Sequence, residues 1–479
     1  MSLYVGIDCS TQSLTIQVLS VEAGAVYDAV TSRSGRIVWE HEINFDRALP
    51  QYGTRHGVLV SDDPAIAHAP PQMWADALAL GLGALSQSRL DLSNIAAISG
   101  SAQQHGTVYL NKDGGFARAT SPIWMDTSTS VECAEITDAL GGPDAAQALT
   151  GSSMYERFAG PQIRKFWKQD PAGYQRTTRI HLVSSFLASR LVAAMPGPQG
   201  VLPDAWGDPP IDAADASGMS LMNLVDKGWD ARALEATAPG LADRLPPIVP
   251  SSTVIGRLAP RWQAQFGLPP AKIVAWTGDN PSSLVGVGLD DERDIAISLG
   301  TSDTVFGLMR TPRVSPDGTG HVFASPTGGY MGITVFSNGS LARERVRDMY
   351  GLDWAGFSTA LRTTPFGNGG ARMLPYFVPE ITPHVPVAGV RRFNLDERDA
   401  PRNVRAIVEA QMAAMRDYTA WMRPPGATIR RVIATGGAST NTEILNVMAA
   451  TFGVEVQQRD MSNSSCLGAA IRAWRYGRA

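Results

Sequence analysis

The sequence predicts an α/β protein made of two related domains, and three observations carry that reading. The chain has 479 residues, more than a single hydrophobic core usually serves. Its short apolar runs end in polar, glycine-containing loops that lead into segments of helical period. A hydroxyl-rich hairpin near the start is echoed far down the chain. The first copy is Val5-Gly6-Ile7-Asp8-Cys9-Ser10-Thr11-Gln12-Ser13, with a strand from Leu3 to Ile7 and a return strand from Leu14 to Leu19. The second is Asp294-Ile295-Ala296-Ile297-Ser298-Leu299-Gly300-Thr301-Ser302-Asp303-Thr304-Val305-Phe306, an apolar strand, a Gly/Thr/Ser tip and another apolar strand. Two such tips suggest two halves facing one shared phosphate.

The chemistry at the tips supports this. Backbone N–H groups and hydroxyls crowded at a sharp turn can hold a phosphate chain. A carboxylate beside them, Asp8, can hold a hydrated Mg²⁺ through one or two oxygens. Leu299 stands where Asp8 stands in the first copy, so a metal-binding carboxylate would belong to the first half only. Taken alone, the first stretch reads equally well as a surface hairpin with an incidental Asp.

Composition excludes several classes. With 44% hydrophobic and 18% charged residues the chain is that of a globular protein. A net charge of -4 and a pI near 6.0 give no electrostatic reason to expect nucleic acid or an anionic membrane as partner. Cys9, Cys133 and Cys466 are widely spaced, which argues against a disulfide framework or zinc site and fits a reducing cytoplasm. Asp8 interrupts the N-terminus before a signal-peptide core forms, and no apolar run approaches the roughly 20 residues of a membrane helix.

The elements follow in order. Ile37 to Glu42 reads as a strand. A helix starting near Pro71-Gln72 carries Trp74, Leu78, Leu82 and Leu85 on one side. The buried strand Ile95 to Ile98 opens into Ser99-Gly100-Ser101-Ala102-Gln103-Gln104-His105-Gly106-Thr107, whose amides and imidazole suit a polyhydroxylated ligand. A structural His is the alternative. Asp126, in Ile123-Trp124-Met125-Asp126, ends another strand or caps the helix-like run through Thr129, Val131 and Cys133. Arg157, in Tyr155-Glu156-Arg157-Phe158, clamps a ligand oxygen or pairs with Glu156. A helix follows over Gln162 to Gln169.

Met195 to Pro210 is a Pro/Gly-rich loop. Ile211 to Met219 is so rich in small residues that its backbone should pack closely on another surface. Ile273 to Trp276 is a buried strand ending in Thr277-Gly278-Asp279-Asn280-Pro281. A carboxylate there, fixed and partly desolvated, has its pKa raised toward that of a useful base; an N-cap Asp is the alternative. Asn338-Gly339-Ser340 caps a helix from Leu341 to Met349, with Arg343, Glu344, Arg345 and Arg347 on a solvated face. Trp354 opens a helix, Phe366 to Gly370 is a turn, and Met373 to Phe377 is apolar. Val404 to Trp421 is a long helix packed through Ala and Met. Val432 to Thr435 opens into Gly436-Gly437-Ala438-Ser439-Thr440-Asn441 and a helix from Glu443 to Phe452, a place for a flat ligand or an anion. A strand from Val454 to Gln457 and a helix from Ser464 to Tyr476 finish the chain. There is no Gly-Lys dipeptide, hence no P-loop, no protein-kinase catalytic loop and no G-x-S-x-G elbow.

Together, Gly6 to Gln12, Gln103-Gln104-His105-Gly106, Trp124-Met125-Asp126, Tyr155 to Phe158, Thr277 to Pro281, Ser298 to Thr304, Phe366 to Gly370 and Ala434 to Ser439 resemble the FGGY carbohydrate kinases of the actin/hexokinase/Hsp70 superfamily. The resemblance runs in the family's order over nearly the whole chain. It implies two RNase H-like domains with a central cleft, at residues 1–288 and 289–479, the first for sugar and catalytic Asp, the second for nucleotide. It implies ATP-dependent phosphorylation of a sugar hydroxyl, with ATP and Mg²⁺ as cofactors. By the resemblance Asp279 is the base. Gln104, His105, Arg157, Asp279 and Asn280 hold a ketopentose, with Asp126 on the sugar side or behind it. Asp8 lies near Mg²⁺, Thr11, Gly300 and Thr301 line the phosphate path, and Trp354, Gly436, Gly437 and Asn441 surround the nucleotide. The chain looks shorter than the animal enzymes between Arg392 and Ile429, and the stretch after Asn338 has no sharp match. The partners expected are a small sugar, ATP and a second copy in a homodimer. An actin- or chaperone-like ATPase, a catalytically dead sensor, and kinases of ribulose or a pentitol are the competing readings.

Overall fold

Strand β1 (Ser2–Cys9) buries both its faces, with Val5, Ile7 and Cys9 fully enclosed, because it lies inside a sheet covered by helices. This is a computed structural model, and it describes residues 1–22, 35–192, 207–459 and 463–478. Most of the expected loop from Met195 to Pro210 lies outside the described residues. The chain divides into two compact units. One comprises residues 1–288, 323–328 and 463–479; the other comprises 289–322 and 329–462.

In the first unit β1 pairs antiparallel with β2 (Ser13–Val21), which pairs antiparallel with β3 (Gly35–Asn44). On its other side β1 runs parallel to β4 (Ile95–Ala102). Strand β5 (Val254–Arg257) lies at the edge, antiparallel to β6 (Lys272–Val274), and β6 and the short β7 (Thr277–Gly278) both run parallel to β4. Helix α1 (Pro71–Ser86) starts with Pro at its first position, where no N–H is missed. Its Trp74, Leu78, Leu82 and Leu85 are fully buried, the stripe their spacing predicts. Helix α2 (Ala159–Gln169) and helix α3 (Asp279–Gly286) complete the site-bearing part. The helix Ser464–Gly477 belongs to this unit and packs on β1, β4 and α3.

The second unit repeats the topology. Strand β8 (Asp294–Leu299) pairs antiparallel with β9 (Asp303–Met309), which pairs antiparallel with β10 (Tyr330–Phe336). On its other side β8 runs parallel to β11 (Arg431–Thr435), and β11 parallel to β12 (Val456–Gln458). The two units thus share a core in which a three-stranded antiparallel run (β3-β2-β1 and β10-β9-β8) is extended by parallel strands (β4 and β6, β11 and β12), as expected of related halves. Helices α4 (Ser340–Met349), α5 (Trp354–Thr363), α6 (Ala400–Tyr418) and α7 (Thr442–Phe452) cover the sheet around a core of Ile295, Ile297, Val404, Ile407, Met412 and Ile444.

Two local expectations change. Helix α4 does not present Arg343 to solvent. That guanidinium is fully buried and forms a two-pronged pair with Asp303 at 2.8 and 2.9 Å, also reaching Gln411 and Ser340. A helix pattern shows a charged face but not a carboxylate waiting beneath it. Gly339, within the expected Asn338-Gly339-Ser340 cap, does cap α4, without a side-chain bond. Asp126 caps no helix, since the helix Ser130–Ala139 begins four residues later with Thr129 at its cap. Among the described residues, no helix is long and apolar enough to cross a membrane.

Candidate active site

In the first unit the chemistry gathers at the C-terminal ends of the parallel strands β1, β4 and β7, where open α/β sheets place their ligands. Asp8 is the penultimate residue of β1 and pairs in register with Ser101 of β4, whose hydroxyl donates to Asp8 Oδ1 at 2.6 Å. Burial pushes the Asp8 carboxyl up to about 6, against the opposing hydroxyls of Ser101 and Ser465. Among the described residues no group of three or more His, Cys, Asp or Glu side chains encloses a metal ion.

Asp279 is the first residue of α3, one position inside the Gly278 cap, so the N-cap alternative does not describe it. Its Oδ1 accepts from the Asn280 amide nitrogen at 3.0 Å, and the same Nδ2 donates to Gln104 Oε1 at 3.0 Å. Burial first, and the Asp8 charge next, push the Asp279 carboxyl up to about 7. This carboxyl is poised to take a proton near neutral pH.

His105 stands at φ +72°, in the left-handed region that a non-glycine residue rarely occupies. Its ring lies 4.7 Å from the Phe158 ring and 6.4 Å from that of Phe323. Burial first, and then the nearby Arg157 charge, push its pKa down to about 3. The imidazole is therefore neutral at ordinary pH. Its Nδ1 lies 2.8 Å from the Gly218 carbonyl, which can only accept. Nδ1 must carry the proton, which leaves Nε2 as an acceptor for a ligand hydroxyl. The Arg157 guanidinium faces the Tyr155 ring at 5.6 Å and, among the described residues, makes no ion pair with Glu156.

Asp126 is fully buried and already occupied. Its oxygens accept from Ala67 N at 3.1 Å, Ser128 N at 3.0 Å and Gln162 Nε2 at 2.8 Å, and His68 Nε2 lies at 3.4 Å. Burial raises its pKa, but the bonds from His68, Ser128 and Gln162 prevail and hold it well below the usual carboxylate range. Asp126 ties the Trp124 loop to the Arg157 loop through Gln162, which also donates to the Glu156 carbonyl.

A further carboxyl was not singled out from sequence. Asp215 is buried beneath Gln104 and Gly278 and accepts from the Ser184 hydroxyl. Burial pushes it well above the ordinary range, and the Asp212 and Asp279 charges add to that. The one signal was the run of small residues from Ile211 to Met219, which does pack closely: Gly218 lies against the His105 ring and Gln104.

In the second unit, the tip of the β8–β9 hairpin and the turn after β11 lie side by side. Gly436 has φ +82°, and a Cβ there would meet the Leu299 carbonyl oxygen at 2.6 Å, so only glycine fits. Gly300 carbonyl accepts from Ser340 N, which ties the tip carrying Thr301 to the start of α4. A Cβ at Gly437 would meet nothing within 4 Å, so this turn is open to a flat ligand. Asn441 caps α7, its Oδ1 accepting from Glu443 N and Ile444 N, while its Nδ2 donates to Ser358 of α5. Trp354, at the start of α5, is 39% exposed, with the Arg347 guanidinium 4.6 Å from its ring centre.

Comparison with known proteins agrees with this layout. Residues 3–286 match the N-terminal domain of the FGGY family of carbohydrate kinases, and residues 295–476 match its C-terminal domain. A rat protein named xylulose kinase is 37% identical over 498 residues, covering 98% of this chain and 87% of that protein. An Arabidopsis thaliana protein named xylulose kinase 2 is 37% identical over 513 residues, covering 98% of this chain and 87% of its own. Among solved structures, a xylulose kinase from Rhodospirillum rubrum superposes with a TM-score of 0.83 at 19% identity, covering 99% of this chain and 90% of that one. One from Bifidobacterium adolescentis gives 0.80 at 22% identity, covering 99% and 92%. The strand order, the paired hairpins and these matches along both halves agree: the chain has two ribonuclease H-like domains and belongs to the FGGY family of carbohydrate kinases.

Proposed function

We propose that the protein transfers the γ-phosphoryl group of ATP to the terminal hydroxyl of D-xylulose, giving D-xylulose 5-phosphate and ADP. The observation that carries this is the Asp279 carboxyl, raised to about 7 and framed by Asn280 and Gln104. Full-length relatives named xylulose kinases support the choice of sugar. In this reading the unit built on residues 1–288 holds the sugar and the base, and the unit of residues 289–322 and 329–462 holds the nucleotide.

Asp279 accepts the proton of the sugar's C5 hydroxyl as that oxygen attacks the γ-phosphorus in line. His105 accepts a hydrogen bond from a sugar hydroxyl through Nε2, Arg157 donates to a sugar oxygen, and Asn280 and Gln104 orient the chain of hydroxyls. Thr11, Gly300 and Thr301 donate hydroxyl or backbone N–H groups to phosphate oxygens. Gly436, Gly437, Asn441 and Trp354 border the adenine nucleotide. Mg²⁺ fits the residues present: Asp8 offers a single hard oxygen donor, and its charge and that of Asp279 meet no basic side chain among the causes acting on either. When bound, the ion offsets charge on the phosphate oxygens.

Phosphoryl transfer depends chiefly on positioning and electrostatics, so removal of the base should strike the chemical step. Asp279→Ala is expected to lower kcat by about 10³-fold, with sugar KM changed by no more than about threefold. Steady-state kinetics of the purified variant reads this directly, and an unchanged kcat would remove Asp279 from the role of base.

A further inference from the structure

We propose that Trp124 is a positioning residue for phosphoryl transfer: its indole N–H fixes the Thr11 hydroxyl so that the Thr11 proton points at the transferring phosphate. The proposal rests on Thr11 lining the phosphate path. Trp124 Nε1 donates to Thr11 Oγ1 at 2.8 Å. An indole N–H can only donate, so the Thr11 oxygen is the acceptor in this bond. The hydroxyl's own proton is then directed away from the indole and is available to an acceptor beyond it. A threonine with no such partner would rotate among three rotamers and present oxygen or hydrogen at random.

Both ends of this bond are held. The Thr11 backbone is backed by Gly57, where a Cβ would meet the Thr11 carbonyl oxygen at 1.8 Å, so the loop crosses the hairpin tip at closest approach. That loop is pinned in turn by Asp46, which accepts from His56 N at 2.5 Å, Gly57 N at 3.1 Å and the Thr54 hydroxyl at 2.7 Å. On the other side, the turn carrying Trp124 closes through Asp126 N donating to the Ile123 carbonyl, and buried Asp126 anchors it. Gln162 joins the same Asp126 to the Glu156 carbonyl, next to Arg157. The loop that faces the sugar and the hairpin tip that faces phosphate are thus connected through rigid, hydrogen-bonded parts, with the Trp124–Thr11 bond as the last link. The Trp124 side of that link is accessible, since the residue is 40% exposed, so the ring can be altered without opening the core.

The test is a double-mutant cycle on the full-length enzyme, using Trp124→Phe, Thr11→Val and the pair, with Thr11→Ser as the conservative control and thermal melting to confirm folding. Trp124→Phe keeps an aromatic ring and removes the N–H. It is expected to lower kcat about tenfold, the size of one hydrogen bond felt in the transition state, with sugar KM unchanged. Thr11→Val is expected to lower kcat at least as far, Thr11→Ser to keep most of it, and Trp124→Phe to add little in the Thr11→Val background. If Thr11→Val lowers kcat but Trp124→Phe does not, the phosphate role of Thr11 stands and the positioning role of Trp124 is overturned. If the two losses multiply, or if Trp124→Phe acts on sugar KM, Trp124 works on the sugar and the proposal is overturned. If Thr11→Val leaves kcat unchanged, the reading of Thr11 fails and the proposal fails with it.

Discussion

At the scale of single residues, the site works by setting protonation states apart. Burial raises Asp279 to about 7 and lowers His105 to about 3, so one carboxyl titrates near neutrality and the imidazole stays neutral, which suits the proposed roles of base and hydrogen-bond acceptor. Asp215 is the third case. Burial pushes it well above the ordinary carboxylate range beneath Gln104, which favours its neutral form. Asp215→Asn is therefore expected to keep kcat/KM within about fivefold, whereas Asp215→Ala, which leaves Ser184 unpartnered in the interior, should lower melting temperature and activity together. Loss of activity in a well-folded Asp215→Asn enzyme would show that the carboxylate itself is needed. Asp279 was legible in the sequence because an apolar strand led straight into it. Asp215 was not, because its partners Ser184 and Gln104 come from distant strands and helices, and only the fold brings them together.

At the scale of elements, each hairpin tip is held from behind by a different device. The first tip leans on the Gly57 loop, and the second is tied to the start of α4 through Gly300 and Ser340. Beneath the second tip the buried Arg343–Asp303 pair joins α4 to β9, with Gln411 of α6 as a third member. Burial keeps Asp303 above its ordinary pKa even beside the guanidinium, so the carboxylate depends on this partner. Arg343→Met, close in volume, is expected to cost about 3–5 kcal/mol in denaturant unfolding, because it strands a buried carboxylate. A cost below about 0.5 kcal/mol would show that the pair is not what ties these elements. The hairpins and the stripe on α1 were legible because both follow local period. Asp126 and Arg343 were misplaced for one shared reason: a charged side chain near a helix start or on a helix face looks solvated until its buried partners are known.

At the scale of the whole molecule, stability against pH is set by buried groups of opposite tendency. His181 is 1% exposed, faces Ser185, and lies 3.6 Å from Asp208, which is half-exposed and solvated. Burial first, and then Arg179 and Arg190, push it down to about 3. Below pH 6.5 an unfolded chain protonates this histidine while the folded one does not, so its contribution is lost as pH falls from about 6.5 toward 3. The slope is about 1.4 kcal/mol per pH unit. Asp8 and Asp279, raised in the folded state, act in the opposite sense, since their folded forms hold protons that the unfolded chain releases between about 4 and 7. The gap in unfolding free energy between the wild type and His181→Asn is therefore expected to narrow by about 1.4 kcal/mol per unit as pH falls below 6.5. A pH-independent gap would contradict the buried neutral histidine. The echo between the two hairpins made the two-domain plan legible at this scale. The return of the helix Ser464–Gly477 to the first unit was not, because no local pattern records where a terminal helix docks. The most direct test of the proposed activity is ADP release with Mg-ATP against D-xylulose, D-ribulose, L-ribulose, L-xylulose, xylitol, D-arabinitol and glycerol, with a no-sugar blank. The expected result is a kcat/KM for D-xylulose at least about tenfold above every other acceptor; turnover no higher than the blank with all seven, or a clear preference for another polyol, would contradict it.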